Sequence, residues 1–90
     1  MDPADVLLEL VGLAREAGLE VRELRPRGGE GEGAARSGAC RLQGRIWVLL
    51  APHDPLEDRI DVLARALVEH APDALEGRWL PPAVRARLER

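Results

Sequence analysis

An α+β fold is what this chain predicts: a small two-layer sandwich in the order α-β-β-β-α-α, with an antiparallel three-stranded sheet and helices packed on one face. Three observations carry that expectation. Two stretches, about Pro3 to Ala17 and Pro55 to His70, repeat apolar residues at helical spacing. Between them Ile46-Trp47-Val48-Leu49-Leu50 is short, apolar and rich in β-branched and aromatic residues, bounded by Gly44 and by Ala51-Pro52. The extended stretches also follow one another, and the simplest packing for that order is a small antiparallel sheet with helices covering one face.

The first helix opens at Asp2-Pro3-Ala4-Asp5. Asp2 can cap, Pro3 suits the first helical position, and Asp5 lies near the positive end of the dipole. Leu7, Leu10, Val11 and Ala14 follow, with Val6, Leu13 and Ala17 widening the stripe, and Gly18 is a natural stop. Gly12 lies inside the helix, where it costs about 1 kcal/mol relative to Ala. Close packing on the sheet is its expected compensation. Leu19 to Arg25 then alternates with Leu19 and Val21 inward until Leu24 breaks the pattern. Its charges and Pro26 suit an edge strand.

Gly28-Gly29-Glu30-Gly31-Glu32-Gly33 invites comparison with phosphate-binding loops. No Gly-Lys-Ser/Thr follows, the G-x-G-x-x-G spacing is missed, and two glutamates would repel an anion. A connection between strands is the expected role.

The chain is organised around the hairpin Ser37 to Leu50, which turns at Gln43-Gly44. A two-residue turn sets Cys40 opposite Trp47. A three-residue turn with only Gly44 left-handed sets Cys40 opposite Ile46. The second is the expected form. It groups Cys40, Ile46, Val48 and Leu50 on one face and Arg41, Arg45 and Trp47 on the other, where a guanidinium over the indole is worth ~0.5–1 kcal/mol. The strand Ile46 to Leu50 is apolar on both sides, so a covered second face is expected, covered by the C-terminal segment with Trp79 or by another subunit.

The second helix opens with Asp54 as cap, Pro55 at the first position and Glu57 as capping-box acid. Leu56, Ile60, Leu63, Ala64, Leu67 and Val68 form its apolar stripe, and Asp61, Arg65 and Glu69 stand at i, i+4 on the polar side. Ala71-Pro72 ends it. After a turn over Asp73 to Gly77, Trp79-Leu80 is expected to anchor on the core. Pro81-Pro82 opens a last short helix with Val84 and Leu88 inward and Arg85, Arg87 and Arg90 outward.

Ninety residues make one small domain. Such a chain buries only ~60–65% of its unfolded surface and is marginal unless well packed or oligomeric. One cysteine excludes an internal disulfide framework. Acids interrupt the apolar residues near the N-terminus, and no run approaches the ~20 residues of a membrane span. A cytoplasmic protein without a membrane partner is expected. All thirteen basic residues are Arg, and Asn, Thr, Tyr, Phe and Lys are absent, a skew that fits a GC-rich bacterial genome. It leaves no Lys for a Schiff base and no Tyr as an acid. A net charge of −3 argues against broad nucleic-acid binding.

Few residues remain for chemistry. Cys40 stands between Ala39 and Arg41, near Arg36 and Arg45, and cations beside a thiol favour thiolate. It is the candidate reactive thiol, against the alternative of a small buried strand residue. His53 and His70 flank the second helix about 25 Å apart at 1.5 Å per residue, too far to share a metal. Arg22, Arg25, Arg27, Arg36, Arg41 and Arg45 can make an anion patch, but Glu20, Glu23, Glu30 and Glu32 interleave with them. No cofactor, metal or catalytic residue is expected.

The stretch Gly38 to His70 resembles the core of the ImmA/IrrE-type zinc peptidases. The residues concerned are the hairpin, Leu56-Glu57-Asp58-Arg59 and Leu63-Ala64-Arg65-Ala66-Leu67-Val68-Glu69. In that family a strand leads into a helix carrying Leu-Ala-His-Glu-Leu-Gly-His. Aligned so, the first His falls on Arg65, the Glu on Ala66 and the second His on Glu69. A zinc hydrolase needs two His one turn apart and a carboxylate to activate water. The resemblance therefore implies a relative without catalytic function that retains the scaffold.

The leading functional expectation is a non-enzymatic module that binds another protein or itself as a homodimer, with Arg41, Arg45, Trp47 and Trp79 as its interaction surface. The alternatives are a redox or enzymatic role at Cys40, and an RNA- or nucleotide-binding accessory using the Arg-rich hairpin.

Overall fold

The computed structural model describes residues 1–24 and 36–89. Helix α1 (Pro3–Glu16) leads into β1 (Glu20–Glu23). The hairpin β2 (Gly38–Leu42) and β3 (Arg45–Leu50) follows, then α2 (Leu56–His70), a 3₁₀ turn (Pro72–Leu75) and α3 (Pro82–Leu88). The expected order α-β-β-β-α-α holds. The Gly28–Gly33 connection, Arg25, Arg27 and Arg90 lie outside the described residues.

The sheet is mixed rather than antiparallel. Its order is β1-β3-β2, with β3 antiparallel to β2 and parallel to β1. A meander would leave β3 at an edge. Instead the most apolar strand takes the centre, where both of its backbone edges are paired. Val21 lies beside Val48, and Glu20 beside Trp47. The expected edge position of β1 is observed.

The helices pack on one face of this sheet. Val6, Leu10, Leu13 and Ala14 of α1 and Ile60, Leu63, Ala64, Ala66 and Leu67 of α2 bury against each other and against Val21, Val48 and Leu50. Periodicity explains all of them except Ala66, and Val68, placed in the stripe by spacing, is exposed. Val84 of α3 and Leu80 close the end of the core.

The end of α1 shows why the first turn out of the helix is fixed. Gly18 has φ +89°. Its N–H donates to the Arg15 carbonyl, and the Leu19 N–H donates to that of Ala14. This is a Schellman closure, which needs a left-handed residue, and it turns buried Leu19 into β1. Gly12 does not have the expected role. A Cβ there would meet nothing within 4 Å, so close packing does not require glycine.

The helix starts differ from expectation in their caps. Asp2 is the N-cap of α1 but makes no side-chain cap bond. At α2 the N-cap is Pro55 rather than Asp54. The Asp54 carboxylate is engaged elsewhere, accepting the Ser37 N–H at 2.7 Å. Glu57 and Asp61 reach across to Arg87, so Arg87 is folded onto α2 rather than directed outward. Asp61 thereby takes a partner on another helix in place of Arg65.

Candidate interaction surface

The hairpin turn decides what the uncovered face of the sheet displays. Gln43 and Gly44 both have positive φ, +53° and +78°. That is the two-residue turn, with Leu42 opposite Arg45, Arg41 opposite Ile46 and Cys40 opposite Trp47. The three-residue form expected from sequence is not adopted. Alternation then sends Ile46, Val48 and Leu50 toward the helices, together with Ala39 and Arg41 from β2. The opposite face carries Glu20 and Arg22 from β1, Arg45, Trp47 and Leu49 from β3, and Cys40 and Leu42 from β2.

No described element covers that opposite face. Trp47 and Leu49 are half-buried by their neighbours in the sheet, Leu42 is 50% exposed and Cys40 is exposed. The Arg22 guanidinium sits 5.6 Å from the centre of the Trp47 ring. Its orientation is held by Glu20, whose carboxylate accepts Arg22 Nε at 2.9 Å and pairs with Arg45 Nη1 at 3.5 Å. Arg22, rather than Arg41 or Arg45, thus covers the indole. The result is an aromatic and aliphatic strip edged by a Glu-bridged arginine pair.

The residues singled out from sequence are divided by the fold. Arg45, Trp47 and Cys40 come together on the open face. Arg41 projects to the helical side at the exposed edge. Trp79 belongs to the helical layer and does not cover the sheet. It is 76% exposed while its neighbour Leu80 is buried, so Leu80 alone is the anchor. Trp79 forms a ridge between two open grooves. One is lined by Leu8 and Gly12 of α1, and the other by Val68, Leu75 and Leu88. Arg78 holds that segment to α1 through Glu16 at 2.8 Å. Sequence spacing missed Leu8, Leu42 and the role of Glu20, and it placed the exposed Val68 in the buried stripe. The parallel β1–β3 register, which the sequence did not reveal, sets Glu20 beside Trp47 and brings Arg22 over its ring.

Beneath the hairpin, a small polar clip joins the start of β2 to the loop before α2. The Ser37 N–H donates to Asp54, and the Ser37 Oγ accepts the Ala51 N–H at 2.8 Å. The Ser37 amide bond, then its hydroxyl, hold the Asp54 carboxyl below its ordinary value, with His53 and Arg36 adding a smaller attraction against desolvation. The clip's bonds are accounted for within the fold, and it has a structural role.

His53 lies in the loop before α2, 3.8 Å from Asp54, and His70 ends α2, 3.8 Å from Glu69. Among the described residues no three His, Cys, Asp or Glu side chains gather as metal ligands. Arg65 and Glu69 are exposed on α2 and Ala66 is buried. Among the described residues no helix is long and apolar enough to cross a membrane. No protein-family model, curated protein or solved structure significantly matches the chain.

Proposed function

We propose that this chain is a non-enzymatic cytoplasmic module that binds protein, a second copy of itself or another chain, through the open face of its sheet. The observation that supports the reading is the Trp47 strip. Most of the apolar residues of β2 and β3 on that face have no covering layer, and aromatic and arginine side chains together are typical anchors of protein interfaces. The tagged protein, incubated with nuclease-treated host lysate, is expected to retain a specific protein or itself, and Trp47→Thr is expected to abolish retention. Retention by the wild type only when nucleic acid is left intact would move the RNA-binding reading to first place.

The exposure of Cys40 favours one alternative, a redox role for its thiol. A thiol that titrates at or above its ordinary value of about 8.5 and reacts no faster than a free cysteine would remove it. The ImmA/IrrE likeness enters here as a proposed kinship of scaffold. Arg65, Ala66 and Glu69 stand where that family holds its zinc ligands and general base, which agrees with a binding rather than a hydrolytic role.

A further inference from the structure

We infer that the second copy docks along the outer edge of β2, antiparallel and centred on Cys40, so that the two sheets join into one. The inference rests on the self-association branch of the reading above and places the contact at the edge of the open face, beside Trp47, which lies opposite Cys40. Among the described residues β2 is an edge strand, unpaired on its outer side. In an antiparallel ladder closed by a two-residue turn, the pair next to the turn is hydrogen-bonded and the pairs alternate from there. Leu42, Cys40 and Gly38 therefore direct their backbone groups to β3. Ala39 and Arg41 direct theirs outward, free to bond another strand.

The strand's own sequence selects the occupant and the register. Gly38-Ala39-Cys40-Arg41-Leu42 is small at one end and large at the other. Pairing it antiparallel with itself about Cys40 sets Leu42 against Gly38 of the second copy and Arg41 against Ala39 of the second copy. Every large side chain meets a small one, which is the self-complementarity an isologous interface requires. That centre is also the one that pairs the whole strand. Centring on Arg41 would oppose the two Arg41 side chains, and like charges directly opposite are unfavourable. Centring on Ala39 would leave Arg41 and Leu42 outside the paired strand. The edge of β1 offers no such fit, because Glu20, Arg22 and Glu23 crowd it with charge.

With the axis perpendicular to the sheet, both helical layers lie on one side and both Trp47 strips join on the other. The two Cys40 residues then form a pair without hydrogen bonds, whose Cα atoms approach to about 4.5 Å. That lies within disulfide reach. Cys40 thus reports the register. Diamide can form the bond in a balanced step: two thiols lose two electrons and two protons, which the azo group takes up to become a hydrazine.

Reduced wild type, treated briefly with diamide and run on a non-reducing gel, is expected to trap as a dimer roughly tenfold faster than Cys40→Ala/Leu42→Cys. In that variant the thiols stand about 13 Å apart along the strands at ~3.3 Å per residue, out of reach. Ala39→Pro, which removes an outward N–H and spares the bonds to β3, is expected to slow trapping to the same degree while keeping its circular dichroism. Should Ala39→Pro fail to fold, the Leu42→Cys comparison decides alone. Equal trapping rates overturn the edge register, and a dimer still seen by light scattering under those conditions would leave self-association standing. An untrapped monomer overturns the second copy as occupant, while Trp47-dependent capture of a different protein would leave the module reading intact.

Discussion

Trp47 and Val48 are neighbours in sequence on opposite faces of one strand, and their substitutions should separate stability from association. Val48 is fully buried, so Val48→Ala removes buried methyl groups and leaves a cavity, at a cost of about 2–3 kcal/mol. A 90-residue domain at ~0.05–0.15 kcal/mol per residue has about 5–13 kcal/mol in total, so this variant still folds. Trp47→Thr loses the Arg22 contact, ~0.5–1 kcal/mol. It also loses cross-strand contacts with Cys40 and Glu20 at ~0.2–1 kcal/mol each. Its cost to the isolated fold is therefore about 1–3 kcal/mol. In an interface, an aromatic anchor is typically worth ~2 kcal/mol or more, about a thirtyfold loss of affinity. Urea unfolding at low concentration, followed by circular dichroism, gives the first quantity, and dilution calorimetry gives the second. Val48→Ala should lower the urea midpoint by an amount corresponding to about 2–3 kcal/mol and leave affinity unchanged. Trp47→Thr should weaken association by at least an order of magnitude. Unchanged affinity in Trp47→Thr would refute the assignment of the open face.

Three further outcomes are expected. Asp54 has a lowered pKa in the folded chain, so the unfolded chain binds its proton more readily. The stability this gives is present above the ordinary carboxyl value of 3.8 and is lost as pH falls through the lower folded value. Urea midpoints measured between about pH 5 and pH 2 should fall less steeply for Asp54→Asn than for wild type, and identical slopes would contradict the Ser37 clip. At the turn, Gln43 is a non-glycine residue at φ +53°, so Gln43→Asn should raise the thermal midpoint and Gly44→Ala should cost about 1–2 kcal/mol. A neutral Gln43→Asn would point back to a bulged three-residue turn. Gly12→Ala adds a methyl group in open space within a helix and should stabilise by about 0.5–1 kcal/mol in thermal unfolding, where destabilisation would reveal a tight contact.

The helices were legible because burial leaves a periodic trace. Leu10, Leu13 and Ala14, and Ile60, Leu63, Ala64 and Leu67, could be read at 3.6-residue spacing, and the glycine stop at Gly18 was legible from chemistry alone. The strand Ile46 to Leu50 was equally plain. Its neighbours were not, because an apolar run records that a strand is buried without recording which strands flank it. Hence the parallel β1 and the central place of β3 were missed. The turn was misread for a local reason. Gln is an unusual left-handed residue, so a form with only Gly44 left-handed was the cheaper expectation. That one-residue difference moved Cys40 from the helix-facing side to the open face beside Trp47. Trp79-Leu80 shows a similar ambiguity. Two adjacent apolar residues compete for one core position, and the smaller one occupies it while the indole stays in solvent. Asp54 carried the chemistry of a cap, but Ser37, distant in sequence, engaged its carboxylate first.

Sedimentation velocity of the reduced wild-type chain, from micromolar to millimolar concentration and beside Trp47→Thr, tests the association reading most directly. A wild-type boundary that shifts from monomer toward dimer with rising concentration, with Trp47→Thr shifting only at concentrations at least tenfold higher, is the expected result. A wild-type chain that remains monomeric throughout, and retains no more lysate protein than Trp47→Thr, would contradict an interaction role for the open sheet face.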